Sequence, residues 1–328
     1  MIVRIPKDIE MPLIGLIQIG VIDRGSTLLQ VRPTTICNLL CPFCSTAGGR
    51  STEATSHPTQ FIVEPRYFVN WIKEVIKLKE GNVSEINIDS VGEATSHPGL
   101  IKIIKLIKQI PEVRLISMQT NGTLLDKEKV KELERAGLNR INLSIHTLDK
   151  EKSKLLSCTQ NYDLEKIIEV IKEILKSNIE LCITPVWIPK INDKDIESII
   201  EFSKELSCKI GIQKYEEYKH SRKMKGAKEI NWYKFYKQLE AWEKEFNVKL
   251  KLGPKDYNIQ RSKRIPLVFE QGDNLKVRVL STGWMKNEVI VSAKNRAITV
   301  IECNAKPCET INVNILETKN SIYLAKQL

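Results

Sequence analysis

No stretch of this chain stays apolar long enough to cross a membrane. The longest runs, such as MPLIGLIQIGVI at 11–22, are interrupted by Gly and Pro and stop short of the ~20 residues a span requires. The start, MIVRIPKDIE, lacks the basic-then-apolar order of a secretory signal. These absences point to a cytoplasmic protein with no membrane partner, where eight cysteines are not read as a disulfide framework. An excess of either charge is also missing from most of the chain. Residues 1–208 hold 27 Lys and Arg against 27 Asp and Glu, and residues 265–328 hold 8 against 6. The net charge of +11 therefore lies almost wholly in residues 209–264, with 16 basic against 7 acidic side chains. Such a local field attracts polyanions, nucleic acid first; the alternative is a solvated lysine-rich helix. Abundant Lys, Ile and Glu lean towards a thermophile. Intracellular disulfides occur in such organisms, which makes Cys303 and Cys308 a candidate pair.

What is present is enough for a sizeable core: 328 residues, 42% of them hydrophobic, suit one large and one small domain. From 26 to 246 strand and helix patterns alternate. Short β-branched segments at 26–34, 84–90, 114–120, 140–146, 180–187 and 209–215 read as strands, and amphipathic stretches such as RYFVNWIKEVIKLKE read as helices. Asp126 and Asp163 sit at N-cap positions and Gly137 at a C-cap. Six consecutive βα units imply an α/β fold with a parallel sheet, a partial (β/α)6 TIM-like barrel whose site gathers at the strand C-termini. After about 265, short alternating runs without helices predict a small antiparallel β-barrel. The expected organisation is an extension over 1–25, a core over 26–250, a linker over 251–265 and the β-barrel over 266–328.

CNLLCPFC places Cys37, Cys41 and Cys44 directly after the first predicted strand. Three thiolates on one loop can hold three irons of a 4Fe–4S cubane and leave the fourth open to a small ligand, which Phe43 would shield. A structural zinc site or redox thiols are the alternatives, but no second CxxC pair or histidine partner is near.

The Cys-x3-Cys-x2-Cys spacing with an aromatic before the last cysteine resembles the radical S-adenosylmethionine (radical SAM) superfamily over most of residues 20–220. The resemblance implies a 4Fe–4S cluster on Cys37, Cys41 and Cys44, S-adenosylmethionine chelating the open iron, an external electron donor and a 5′-deoxyadenosyl radical. It also implies cofactor contacts. Gly92 and Glu93 in SVGEATSHP stand for the family's Gly-Gly-Glu-Pro-like motif, with Val91 and Ala94 as departures, and Glu93 would face the amino group. Thr120 and Asn121, then Ser144 with His146, lie at the next strand ends. Val186 and Ile188 would pack on adenine through backbone groups, with Asn192 and Asp193 bracing their loop. The hexapeptide EATSHP occurs at 53–58 and 93–98; coincidence or drift is the leading explanation, and the alternative is that both copies bring His57 and His97 to the cavity.

The terminal region resembles the TRAM-type, OB-like modules of archaeal RNA-modifying radical enzymes. Tyr215, Tyr218, Arg222 and Lys223 at the barrel rim, and Arg278, Trp284, Lys286 and Arg296 on the module, are candidate RNA contacts. No second three-cysteine cluster, no room for a cobalamin domain before residue 26 and no cysteine-rich extension are seen. The expectation is a monomeric enzyme that modifies RNA, tRNA first, by methylating a base carbon, wyosine-type guanosines included. A radical enzyme for a small metabolite or lipid, and a non-catalytic iron–sulfur RNA-binding protein, are the alternatives.

Overall fold

Alternation within each strand decides the architecture. In EINI, LISMQT and RINL the aliphatic positions are β-branched or long, and the positions between them are polar. One face of such a sheet needs a helical cover and the other does not. The computed structural model describes residues 1–49 and 57–328. In chain order it contains β1 (Ile2–Ile5), β2 (Gly20–Asp23), β3 (Leu28–Arg32), β4 (Gln60–Val63), α1 (Pro65–Leu78), β5 (Glu85–Ile88), α2 (Leu100–Ile107) and β6 (Leu115–Thr120). There follow α3 (Lys127–Ala136), β7 (Arg140–Leu143), α4 (Lys150–Ser157), α5 (Leu164–Leu175), β8 (Glu180–Ile183), β9 (Val186–Trp187) and α6 (Asp193–Glu205). Then come β10 (Lys209–Ile210), β11 (Gln213–Lys214) and α7 (Trp232–Phe246), and finally β12 (Asn274–Thr282), β13 (Glu288–Ala293), β14 (Arg296–Ile301), β15 (Thr310–Glu317) and β16 (Leu324–Gln327).

The main sheet has the order β10-β8-β7-β6-β5-β3-β2. Six strands are parallel, and β2 runs antiparallel to β3 at one edge. The sheet is a partial barrel, open between β2 and β10. Its outward residues Ile86, Ile88, Ile116, Met118, Ile141 and Leu143 are buried under the helices. α1 contributes Phe68, Val69, Ile72, Val75 and Ile76 to that layer, and α5 contributes Ile167, Val170, Ile171 and Ile174. Asp126 and Asp163 accept hydrogen bonds from Lys129 N and Lys166 N, and Gly137 closes α3 at φ 101°. The inward positions Gln30, Asn87, Gln119 and Asn142 are polar and line cavities.

Residues 20–23, which fall in the stretch read from sequence as an extension, form β2 of this sheet. GVID shows no alternation because all four residues are buried. Residues 11–22 also carry the C-terminal unit. Ala297 N donates to Ile14 O (2.8 Å) and Tyr323 N to Gly15 O (2.9 Å). Gly15 has φ 122°, and a Cβ there would lie 1.9 Å from the Ala297 carbonyl oxygen, so only glycine admits this approach.

The C-terminal unit is a closed five-stranded barrel of order β12-β13-β14-β16-β15, antiparallel except for β14 against β16. Its centre is apolar: Val279, Val291, Ile298, Val300, Val313 and Tyr323 are fully or almost fully buried. The pairing of Cys303 with Cys308 does not form. Cys303 points into the barrel and donates its thiol to Gln327 Oε1 (3.2 Å), whereas Cys308 is exposed. Among the described residues, no helix is long and apolar enough to cross a membrane.

Candidate active site

The cysteine loop leaves β3 and turns tightly. Cys44 N donates to Cys41 O and Ala47 N to Cys44 O, each at 3.2 Å. The three thiols and Phe43 share the wall of a cavity of about 480 Å³ at the C-terminal ends of the strands. Burial pushes the Cys37 thiol up to about 12 and the Cys41 thiol higher still, the neighbouring thiols adding to the effect. A buried thiolate needs a metal or a cation beside it. Arg222 brings a positive charge to this loop and pulls both thiols slightly back down. Its guanidinium donates to the carbonyls of Cys41 (3.2 Å), Ala47 (3.1 Å) and Gly48 (2.5 Å), and its backbone N donates to Cys44 O (3.0 Å). Arg222 thus clamps the cysteine loop from 181 positions beyond Cys41, so its guanidinium is committed there and is not a free contact for RNA. Among the described residues, no three His, Cys, Asp or Glu side chains converge on a single-ion site. Three soft donors spread around one cavity, on a loop held rigid by an arginine, are a donor set that fits an iron–sulfur cubane.

The loop after β5 lies against this turn. Gly92 is required there because a Cβ would sit 2.2 Å from the Ile36 carbonyl oxygen. Glu93 is buried, and its carboxylate is largely used. Oε1 accepts from Thr95 N (3.0 Å), Thr95 Oγ1 (2.6 Å) and Thr120 Oγ1 (2.7 Å), and Oε2 accepts from Asn121 N (2.8 Å). The carboxylate therefore joins the β5 and β6 ends. Asn121 extends the join by donating to Asn38 Oδ1 (3.0 Å), a residue inside the cysteine loop.

Ser144 lines the cavity after β7. His146 accepts at Nδ1 from Val186 N (3.0 Å) and meets the Phe43 ring edge-on at 4.7 Å. Desolvation drops its pKa to about 4, so it is a neutral orienting group. Val186 reaches the cavity. Ile188 does not: it is wholly buried with Phe43, Leu156 and Tyr215. The backbone donor of Ile188 is taken by Asn192 Oδ1 (2.7 Å) and that of Val186 by His146, so neither N–H is free for an adenine. Asp193 braces the same loop by accepting from Trp187 Nε1 (2.7 Å) and Lys190 N (2.7 Å).

The two histidines of the repeated hexapeptide stay out of the cavity. His97 is buried, donating from Nε2 to Val63 O (2.8 Å) and accepting at Nδ1 from Gly99 N (3.0 Å). His57 is buried with Nε2 against Thr46 O (2.8 Å) and its ring stacked on Trp284 at 3.8 Å. The rest of the first copy, 53–56, lies outside the described residues. Three candidate RNA contacts are also interior. Trp284 is 4% exposed in the contact between core and barrel. Arg296 is 4% exposed beside the Lys294–Asn295 turn, and Tyr215 is 1% exposed with its hydroxyl donating to Glu217 (3.1 Å). Buried side chains of this kind cannot meet a macromolecule. Tyr218, Lys223, Arg278 and Lys286 are exposed.

Sequence reasoning passed over the inward polar set. Gln30 donates to Asp89 Oδ2 (2.8 Å), and Arg32 holds the same carboxylate at 3.2 Å. Deeper in the barrel, Arg140 pairs with Glu85, which also accepts from Ser117 Oγ (2.6 Å). The polar–apolar alternation of SEINIDS and RINLS carries the signal for this lining.

Residues 31–203 match the family model described as the Radical SAM superfamily. A protein of Methanocaldococcus jannaschii, itself described as uncharacterized, is 34% identical over 341 aligned positions, covering 96% of this chain and 78% of that protein. A GTP 3′,8-cyclase of Aquifex aeolicus is 29% identical over 194 positions, covering 59% of this chain and 58% of the cyclase. Among solved structures, SuiB of Streptococcus suis bound to S-adenosylmethionine is similar at TM-score 0.53 and 17% identity, over 69% of this chain and 49% of SuiB. A structure of TYW1 with a lysine-pyruvate adduct bound is similar at TM-score 0.50 and 19% identity, over 73% of this chain and 80% of TYW1. At these identities the structural likeness concerns the fold.

Proposed function

Because the chain belongs to the radical SAM superfamily, we propose that it modifies RNA, with tRNA as substrate and methylation of a base carbon, wyosine-type guanosines included, as the reaction. It is a radical SAM enzyme whose cofactors are a 4Fe–4S cluster and S-adenosylmethionine. When bound, these supply a 5′-deoxyadenosyl radical able to take hydrogen from an unactivated carbon. Cys37, Cys41 and Cys44 would hold the cluster. Glu93 would face the cofactor ammonium with Oε2, which already accepts one hydrogen bond. Ser144, Asn121 and Val186 line the same cavity and would flank the nucleoside. Phe43, Tyr215 and Ile188 form an apolar block behind Cys41 that keeps water from that side.

The observation that carries the RNA reading is the position of the positive charge. The basic stretch 209–264 supplies Lys214 and Tyr218 to the cavity wall, and its excess of cations lies in the segments on either side of α7, which itself holds three Lys against three Glu. The five-stranded barrel, with Arg278 and Lys286 exposed, would serve as a TRAM- or OB-like RNA module. Nucleoside mass spectrometry of tRNA from a deletion strain and its parent tests this reading: one modified nucleoside should disappear. A second reading rests on the relatives named GTP 3′,8-cyclase. If the tRNA nucleosides are unchanged and reconstituted protein consumes GTP with release of 5′-deoxyadenosine, a free guanine nucleotide is the substrate instead.

A further inference from the structure

A second cavity, of about 570 Å³, occupies the open side of the barrel. It adjoins the cofactor cavity: Gln30, Gln119, Gln213, Lys214 and Glu216 line both. Along its wall α7 presents two half-exposed aromatic rings. Trp232 is 51% exposed and Tyr236 48% exposed, one helical turn apart, with ring centroids 5.8 Å apart and planes at 28°. They are rigid because Phe235, buried between them and the core, meets Trp232 edge-on at 5.6 Å and Tyr236 at 5.5 Å. Phe235 in turn packs on Trp187, and Trp187 on Trp242. Lys214 Nζ stands 5.2 Å from the Trp232 ring centre, and Arg24 lines the opposite wall.

Large half-exposed aromatics at the edge of a polar cavity that Arg24, Lys214 and Lys251 also line form a surface for a flat ligand. We infer that Trp232 and Tyr236 are a stacking platform that receives a nucleobase of the RNA substrate and directs it through the open side of the barrel. This inference rests on the RNA reading above. The amides of Gln119, Asn142 and Gln213 lie beyond the platform. Each offers both a donor and an acceptor, the pattern that pairs with a base edge. Lys214 is anchored by Glu229 and by Glu216 at 3.7 Å, which fixes its ammonium over the indole. The phosphates then fall to exposed rim cations such as Lys223, outside the cavity.

Bulk tRNA binding to the full chain, followed by fluorescence anisotropy across a salt series, tests the platform. Trp232→Ala and Tyr236→Ala should each weaken binding by about tenfold or more. The slope of log K against log salt should stay that of the wild type, because stacking releases no counterions. Lys223→Ala should instead lower that slope by about one. Trp232→Phe, which keeps a stacking face, should retain most of the affinity and guards against a folding artefact in the alanine variant. S-adenosylmethionine binding by equilibrium dialysis should be unchanged in all four variants. Alanine variants that bind tRNA within twofold of wild type overturn the platform and leave the RNA reading standing. A wild-type protein that does not bind tRNA at low salt overturns both.

Discussion

The chain contains two barrels, and they are filled in opposite ways. The five-stranded C-terminal barrel is closed, and its interior is Val279, Val291, Ile298, Val300, Val313 and Tyr323. The six parallel strands form an open barrel whose interior is Gln30, Asn87, Gln119, Asn142 and the Glu85–Arg140 pair. An apolar interior needs no ligand, since burial itself stabilises it. A polar interior is costly unless water or a ligand satisfies it. The difference gives the open barrel an interior that can hold a ligand, whereas the closed one can meet a ligand only with its outer face. The seam between them is Gly15 against Ala297 and His57 on Trp284.

Removing any of Cys37, Cys41 or Cys44 by alanine should break this contrast most completely. Reconstituted protein should lose its 4Fe–4S absorption and all release of 5′-deoxyadenosine, while the melting temperature of the apoprotein moves little. Retention of the absorption band in all three variants would refute the cysteine assignment. The converse lesion is Ile298→Ala, wholly buried in the closed barrel. It should cost about 2–5 kcal/mol of stability and leave the iron content of the folded fraction unchanged. Urea denaturation with iron analysis separates the two effects.

These two predictions differ in how far the sequence alone supports them. The six strands and the cysteine loop are readable because local signals agree: period-two segments, Asp caps at 126 and 163, and three thiols on one turn. Strands β1, β2 and β4 are not readable. GVID is buried on both faces, and β1 and β4, though each alternates, are only four residues long and find each other across nearly 60 positions. Helix α4 escapes notice because eight residues of KEKSKLLS show little amphipathy. The site is legible where motifs are local, as at Cys37–Cys44 and Gly92–Glu93. Long-range placement is not: Tyr215, Trp284 and Arg296 have surface-like residue types yet are covered by other segments, and Arg222 reaches back to residues 41–48. The hexapeptide repeat misleads for the same reason. His97 sits in a backbone clamp, and His57 packs under the closed barrel.

Arg222 offers a smaller test that sharpens the comparison, because it ties the basic rim to the cysteine loop. Arg222→Gln removes a charged donor from three carbonyls, a loss of about 1.5–3 kcal/mol from the ordered loop. The reconstituted variant should hold iron with a severalfold faster loss to a chelator. Lys should restore the charge without spanning Cys41 and Gly48 together, so its rate should fall between the two. Equal chelation rates for wild type and Gln would show that the clamp is incidental.

The mildest expected effect is on acid stability, and it separates the cavity wall from the closed barrel. His146 in the folded chain has its pKa depressed to about 4 by desolvation, and burial also lowers those of His57 and His97. An unfolded histidine titrates near ~6.5. Between these values the unfolded chain binds protons that the folded chain refuses, so stability is full above about 6.5 and falls as pH drops towards 4. Below about 4 the His146 contribution is already lost and adds no further slope. His146→Gln should make the decline shallower, since it removes one titrating group while an amide can still accept from Val186 N. Ile298→Ala, by contrast, should lower stability equally at pH 5 and pH 8, because no proton is involved. Urea midpoints at those two pH values decide the matter. A His146→Gln profile parallel to that of the wild type would mean that the imidazole takes up its proton as readily in the folded chain as in the unfolded one, against its acceptor bond from Val186.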